Sequence, residues 1–143
     1  MMLSKAIAVS LNLSACKLKQ FTAALLRQNN VGLTPEQFLL IDLLWNQGPM
    51  SQQKMADTMH KDKNSITKLV DALERKELIT RQKDEKDHSS NVLHLTRKAE
   101  EMKLDAKETG ISILDMILDG ISEDELNQFL ATLNKLNDNM SRV

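Results

Sequence analysis

The sequence predicts a mainly α fold with a small β-hairpin wing, a winged helix-turn-helix flanked by long helices at both ends. Three observations lead there. A short helical segment, "QQKMADTM", is followed by a polar turn, "HKDKN", and then by a helix whose Ile66, Leu69, Val70 and Leu73 fall at i, i+3, i+4 and i+7. Directly after it, "LITRQKDEKDHSSNVLHLT" at 78–96 sets two short runs of strand-like alternation around a charged, turn-rich middle. Long amphipathic patterns occupy both ends of the chain.

Each element has its own local signal. The first helix is expected from about Ser4 to Gln28 and is broken by "NNVG". Thr34-Pro35-Glu36-Gln37 starts the second, with Thr34 as N-cap, Pro35 at the first helical position and Gln37 as capping-box partner. That helix carries "FLLIDLLW", apolar enough to be buried on most sides, and stops at Gly48-Pro49. Ser51 caps the short third helix, which places Met55, Ala56 and Met59 on one face. The fourth runs to about Lys76 with Asn64, Thr67, Lys68, Asp71 and Arg75 on its polar side. After the hairpin, Thr96 caps one long helix to about Asp119, with Met102, Ala106, Ile113, Leu114 and Ile117 as apolar positions. A second capping box, Ser122-Glu123-Asp124-Glu125, opens the last helix, where Leu126, Phe129, Leu130, Leu133, Leu136 and Met140 keep a 3-4 spacing.

Composition bounds the function classes. A chain of 143 residues with 41% hydrophobic and 27% charged side chains is ordinary for one globular domain, 1–143. Three Phe, one Trp and no Tyr leave few platforms for stacking on sugars or single-stranded bases. The net charge of −1 is unevenly spread: residues 1–50 carry +2, 51–98 carry +3, and 99–143 carry −6. A modestly basic middle permits a polyanion partner. The single Cys excludes an internal disulfide framework and suits a reducing cytoplasm. No apolar run approaches the ~20 residues of a membrane span. "MMLSKAIAVSLNLSACK" resembles a lipoprotein cleavage box, but its apolar stretch is short and broken by Ser10 and Asn12. The same residues read better as helix, with Ile7, Leu11, Leu18, Phe21 and Leu25 at helical intervals.

A winged helix suits double-stranded DNA: its second helix enters the major groove while the wing tip reaches backbone or minor groove. Asn64 and Ser65 lie where side chains meet base edges and helix amides meet phosphate. Lys61, Lys63 and Lys68 would neutralise phosphate, Thr67 would make either kind of contact, and Ser51 and Gln52 open the helix that a DNA strand would cross. In the wing the basic candidates are Lys83, Lys86 and His88. The bland alternative, a solvated polar face, is outweighed by the order helix, turn, helix, wing. A winged helix used only for protein contacts, without DNA binding, stays the alternative of another class. Enzyme chemistry finds no Gly-rich phosphate loop, nucleophile elbow or metal-hydrolase motif, and Glu100-Glu101 and Asp124-Glu125 point to different sides of their helices. His60, His88 and His94 lack the spacing of a zinc site, so neither a metal nor another cofactor is expected.

"GLTPEQFLLIDLL" at 32–44, "SITKLVDALERKELITRQ" at 65–82, Asp84 and Asp87, "HLT" at 94–96 and "GISEDELNQFLATLNKL" at 120–136 come in an order and spacing that resemble the MarR family of bacterial transcriptional regulators. The resemblance spans essentially the whole chain. It implies a winged helix-turn-helix core at about 32–98, with dimerisation helices at about 4–28 and 97–141. It implies a homodimer whose two winged helices meet a near-palindromic site, and a repressor released by a small phenolic or lipophilic effector or by Cys oxidation. Ile7, Leu11, Leu126, Phe129, Leu130, Leu133 and Leu136 are the dimerisation candidates, and Phe21, Phe38, Trp45 and Met102 the effector-pocket candidates. Cys16 in the first helix is the redox candidate, though the Tyr partners of the peroxide-sensing branch are missing. Two departures stand out. The family wing reads Asp-x-x-Asp-Arg-Arg, and here Asp84-Glu85-Lys86-Asp87 is followed by His88-Ser89. The family Gly at the end of the recognition helix is Glu77, where a left-handed cap is strained and a different helix end is expected.

Overall fold

The computed structural model describes residues 2–142. The chain divides into two compact units, one up to Gly110 and one from Ile111 on. Among the described residues, seven helices and three strands follow in the order α1 (Met2–Gln28), α2 (Pro35–Gln47), β1 (Met50–Ser51), α3 (Gln52–Met59), α4 (Lys63–Arg75), β2 (Ile79–Lys83), β3 (Asn91–Leu95), α5 (Arg97–Glu101), α6 (Lys103–Ile117) and α7 (Glu123–Met140).

Local capping chemistry fixes most helix starts. Thr34 and Gln37 form the reciprocal capping box that opens α2, with Pro35 in the first turn. Ser51 accepts from the Lys54 amide at the start of α3, Asp62 from the Ser65 amide at α4, and Thr96 from the Ala99 amide at α5. Each cap satisfies one amide that the first helical turn leaves open, typically worth ~1 kcal/mol.

The core of the first unit collects Leu40, Ile41, Leu44 and Trp45 of α2, Met55 and Ala56 of α3, and Ile66, Val70 and Leu73 of α4. From the sheet side come Met50, Ile79 and Leu93, and from α5 and α6 come Ala99 and Ala106. The stripe read at i, i+3, i+4 and i+7 on α4 is thus the buried face, with Leu69 half-buried at its edge. α2 is buried on most sides, as its apolar run predicts, with Leu39 on the open one at 48% exposure.

Three features depart from the sequence expectations. The hairpin β2–β3 gains a third strand, because Met50 and Ser51 pair with Leu93 and Val92, giving the order β1-β3-β2. Two residues carry no alternation signal, so only the pairing reveals this strand. The helix expected to run unbroken from Thr96 to Asp119 is interrupted at Met102, whose ψ of −1° ends α5 before α6 begins. Finally, α4 keeps the left-handed end that its missing Gly was expected to forfeit. Glu77 sits at φ 63°, its amide bonds to the Glu74 carbonyl, and the Leu78 amide bonds to the Leu73 carbonyl. That is a Schellman end, closed by buried Leu78 and Leu73. Tertiary bonds hold it: the Thr96 hydroxyl donates to the Glu77 carbonyl at 2.7 Å, and the Thr96 amide to the Leu78 carbonyl at 3.0 Å. A non-Gly residue in this region costs ~1–2 kcal/mol. Glu77→Gly should therefore raise the unfolding free energy by about 1 kcal/mol. Urea unfolding checks this, and an unchanged or lowered midpoint would show that Glu77 carries no strain.

In the second unit, Ser122 and Glu125 make the expected capping box at α7. Phe129, Leu130 and Met140 are exposed on that helix, while Leu126, Leu133 and Leu136 are half-buried. In α1, Ile7, Leu11 and Leu18 are exposed and Leu26 is buried. Among the described residues no helix is long and apolar enough to cross a membrane.

Candidate nucleic-acid interface

Helix α4 buries one side and offers the other. Lys63, Asn64, Ser65 and Lys68 are exposed at its N-terminal half. The Asp62 cap orders this end, and its bond from the Ser65 amide, chiefly, holds its carboxyl below the ordinary aspartate range. Ser51, Gln52 and Lys63 line a groove of about 270 Å³ with Ser89, Ser90 and Asn91, so the start of α3, the start of α4 and the turn of the wing with the first residue of β3 converge.

The side chains predicted to contact DNA divide into free and engaged groups. Gln52 and Thr67 are bonded to each other at 3.0 Å, and the Thr67 hydroxyl also donates to the Lys63 carbonyl at 2.8 Å. Ser51 spends its hydroxyl oxygen on the α3 cap. Lys61 pairs with Glu36 at 3.0 Å. In the wing, Lys83 donates to the His88 carbonyl at 3.1 Å, while Lys86 and His88 have exposed side chains.

The residue that organises this region escaped the sequence reading. Arg81 of β2 donates from Nε to Gln52 at 3.0 Å, from one terminal nitrogen to Asp71 at 2.7 Å, and from the other to Glu74. Only 19% of its side chain is exposed. The Asp71-bonded nitrogen also donates to the Thr67 carbonyl at 3.4 Å. Thr67, Asp71 and Glu74 lie at i, i+4 and i+7 on one face of α4, so a flat guanidinium can span them. A signal existed: with period 2, Arg81 shares the face of buried Ile79, and a cation placed there requires partners.

The wing tip is built by two aspartates. Asp84 accepts from the Lys86 amide, and Asp87 accepts from the Ser89 amide and from the hydroxyls of Ser89 and Ser90. The Ser89 hydroxyl contributes most to holding the Asp87 carboxyl below the ordinary range. Order contributed by a carboxylate whose folded value is depressed is complete above its unfolded value and is lost as pH falls through the folded one. Followed by NMR, the Ser89 amide should therefore titrate with a midpoint below the ordinary 3.8, and Asp87→Asn should remove the transition. A midpoint at or above 3.8 would contradict this geometry.

The remaining candidates lie elsewhere. Phe38 and Trp45 meet edge-on with ring centroids 6.4 Å apart, Trp45 donates to the Ala99 carbonyl at 3.3 Å, and Met102 packs against the same core. Phe21 is half-buried on α1, and Cys16 is exposed there. A separate groove of about 520 Å³ is lined by Arg27, Asn30, Gly32, Leu33, Thr34 and Lys76 and by none of the four effector-pocket candidates. Among the described residues no group of His, Cys, Asp and Glu is placed to hold a metal ion.

With that geometry in place, a sequence profile of the MarR family matches residues 33–88, the stretch from the start of α2 through the wing tip. That stretch matches the MarR domain family. This is a family of DNA-binding regulators, not of enzymes. The chain is 29% identical over 104 residues to the uncharacterized HTH-type transcriptional regulator YkoM of Bacillus subtilis, covering 73% of this chain and 68% of that one. It is similar to the structure of a MarR family protein from Bacillus stearothermophilus, with TM-score 0.71, 27% identity and coverage of 98% of this chain and 96% of that one. The fold is also that of S. aureus MepR in its DNA complex, with TM-score 0.82, 22% identity and coverage of 92% and 96%.

Proposed function

We propose that this protein is a cytoplasmic, sequence-specific DNA-binding transcriptional regulator of the MarR family. In this reading it is a homodimeric repressor that leaves a near-palindromic operator when a small lipophilic or phenolic effector binds. The observation that carries the DNA reading is the free N-terminal half of α4. Lys63, Asn64, Ser65 and Lys68 stand exposed on a helix whose opposite side is buried, next to a wing tied to it by Arg81. MepR was solved with DNA on the same fold, which favours this use of the helix over a protein-only contact surface.

Contacts then divide by chemistry. Lys63 and Lys68 meet phosphate, the open amides at the start of α4 meet the backbone, and Asn64 reaches a base edge, where Asn pairs best with adenine. Gln52 and Thr67 serve first to position the helix, because their polar groups are already bonded. The wing approaches through Lys86 and His88 without the Arg fork that a narrow A·T groove favours. A gel-shift titration against salt tests the assignment. Lys68→Ala should weaken all sequences alike and lower the salt slope by about one, whereas Asn64→Ala should cost ~1–3 kcal/mol at one base position and relax preference there. Equal binding by wild type and both variants would remove α4 from the interface.

Dimerisation would use apolar side chains left open on single elements: Ile7 at 44% and Leu11 at 38% on α1, and Phe129 at 62% and Leu130 at 56% on α7. Burying such side chains is worth roughly 1.5–3 kcal/mol each. Because Leu130 is exposed in the protomer, Leu130→Asp should leave the fold intact and dissociate the dimer, where the charge would be desolvated. Sedimentation at micromolar concentration reads this out; a wild-type protein of monomer mass would sink the dimer.

A further inference from the structure

Glu36, in the first turn of α2, bridges two lysines from distant parts of the chain. One of its oxygens meets Lys19 of α1, and the other meets Lys61, in the turn between α3 and α4, at 3.0 Å. One carboxylate thus serves two ammonium groups. Lys19 first, and Lys61 with it, hold the carboxyl below its ordinary value of 4.5, so it is charged at neutral pH. Three lysines surround the start of α4. Lys63 and Lys68 make no ion pair among the described residues, whereas Lys61 is engaged by Glu36. Lys61 and Lys68 both act on the Asp62 carboxylate, which places Lys61 in the electrostatic neighbourhood of the reading helix.

We propose that Glu36 sets this protein's DNA affinity by competing with DNA phosphate for Lys61, a role that rests on the DNA-binding reading above. The pair is partly exposed, at 24% for Lys61 and 35% for Glu36, and such pairs are weak enough for a phosphate to displace. Lys19 acts on the same balance from α1. By sharing the carboxylate it loosens the hold on Lys61, so loss of Lys19 strengthens that hold.

Anisotropy titrations of the full chain with a fluorescein-labelled, mixed-sequence duplex across a salt series test this. Glu36→Gln keeps the side-chain shape and removes the competing charge. It should bind more tightly than wild type with a steeper salt slope, by at most about 0.9, because Glu36 and phosphate share Lys61 in the wild-type complex and phosphate alone holds it in the variant. Its advantage should then grow between ~200 and ~50 mM salt, by at most about three- to fourfold. Lys61→Met in the Glu36→Gln background should cancel the gain. Lys19→Met should weaken binding in the wild-type background and change nothing once Glu36 is Gln. Should Glu36→Gln fail to fold by circular dichroism, Glu36→Asp, too short to hold both lysines, should shift binding in the same direction.

The proposal is overturned if the folded Glu36 variant binds no more tightly than wild type, if its slope is unchanged, or if the gain survives loss of Lys61. Salt-dependent binding by wild type alongside an unaltered Glu36 variant would remove this role and leave the DNA-binding reading standing. Absence of salt-dependent binding by wild type would remove both.

Discussion

One guanidinium holds the reading head together. Arg81 reaches from the wing strand to Gln52 at the start of α3 and to Asp71 and Glu74 on α4, and so joins the three elements a winged helix must keep in register. Its planar fork matters, because a lysine in its place would be a point charge without the geometry to meet three partners. Pairing also offsets one of the two negative charges that Asp71 and Glu74 place on the helix proposed to approach phosphate.

That arrangement explains why polar residues of one helix have different roles. Thr67 faces the Arg81 side and is bonded within the protein, whereas Asn64 and Lys68 face away and remain open. Preorganisation lowers the ordering cost of binding, since the helix, its cap and the wing base are fixed beforehand. The wing tip follows the same logic: Asp84 and Asp87 close the turn, leaving Lys86 and His88 to meet solvent or DNA.

What was legible in the sequence was what local chemistry determines. Both capping boxes, the span of α3 and the buried stripe of α4 are set by residues within a few positions of one another, and all appear as read. The misses are features decided by distant partners. β1 exists because Leu93 and Val92 pair with it, and the left-handed Glu77 persists because Thr96 bonds the backbone around it. Polar candidates were identified by type and position, yet type alone did not reveal that Gln52, Thr67 and Lys61 are already bonded. Arg81 was missed for the same reason: its partners lie seven to 29 positions away in the chain.

Through Arg81 the wing and α4 form one mechanical body. Native-state hydrogen exchange on Arg81→Met tests it most directly, with wild type as reference. The amides of α4, the start of α3 and β2 should lose protection together and by similar free energies, as parts of one cooperative unit do. Loss confined to β2, with α4 as protected as in wild type, would contradict the account.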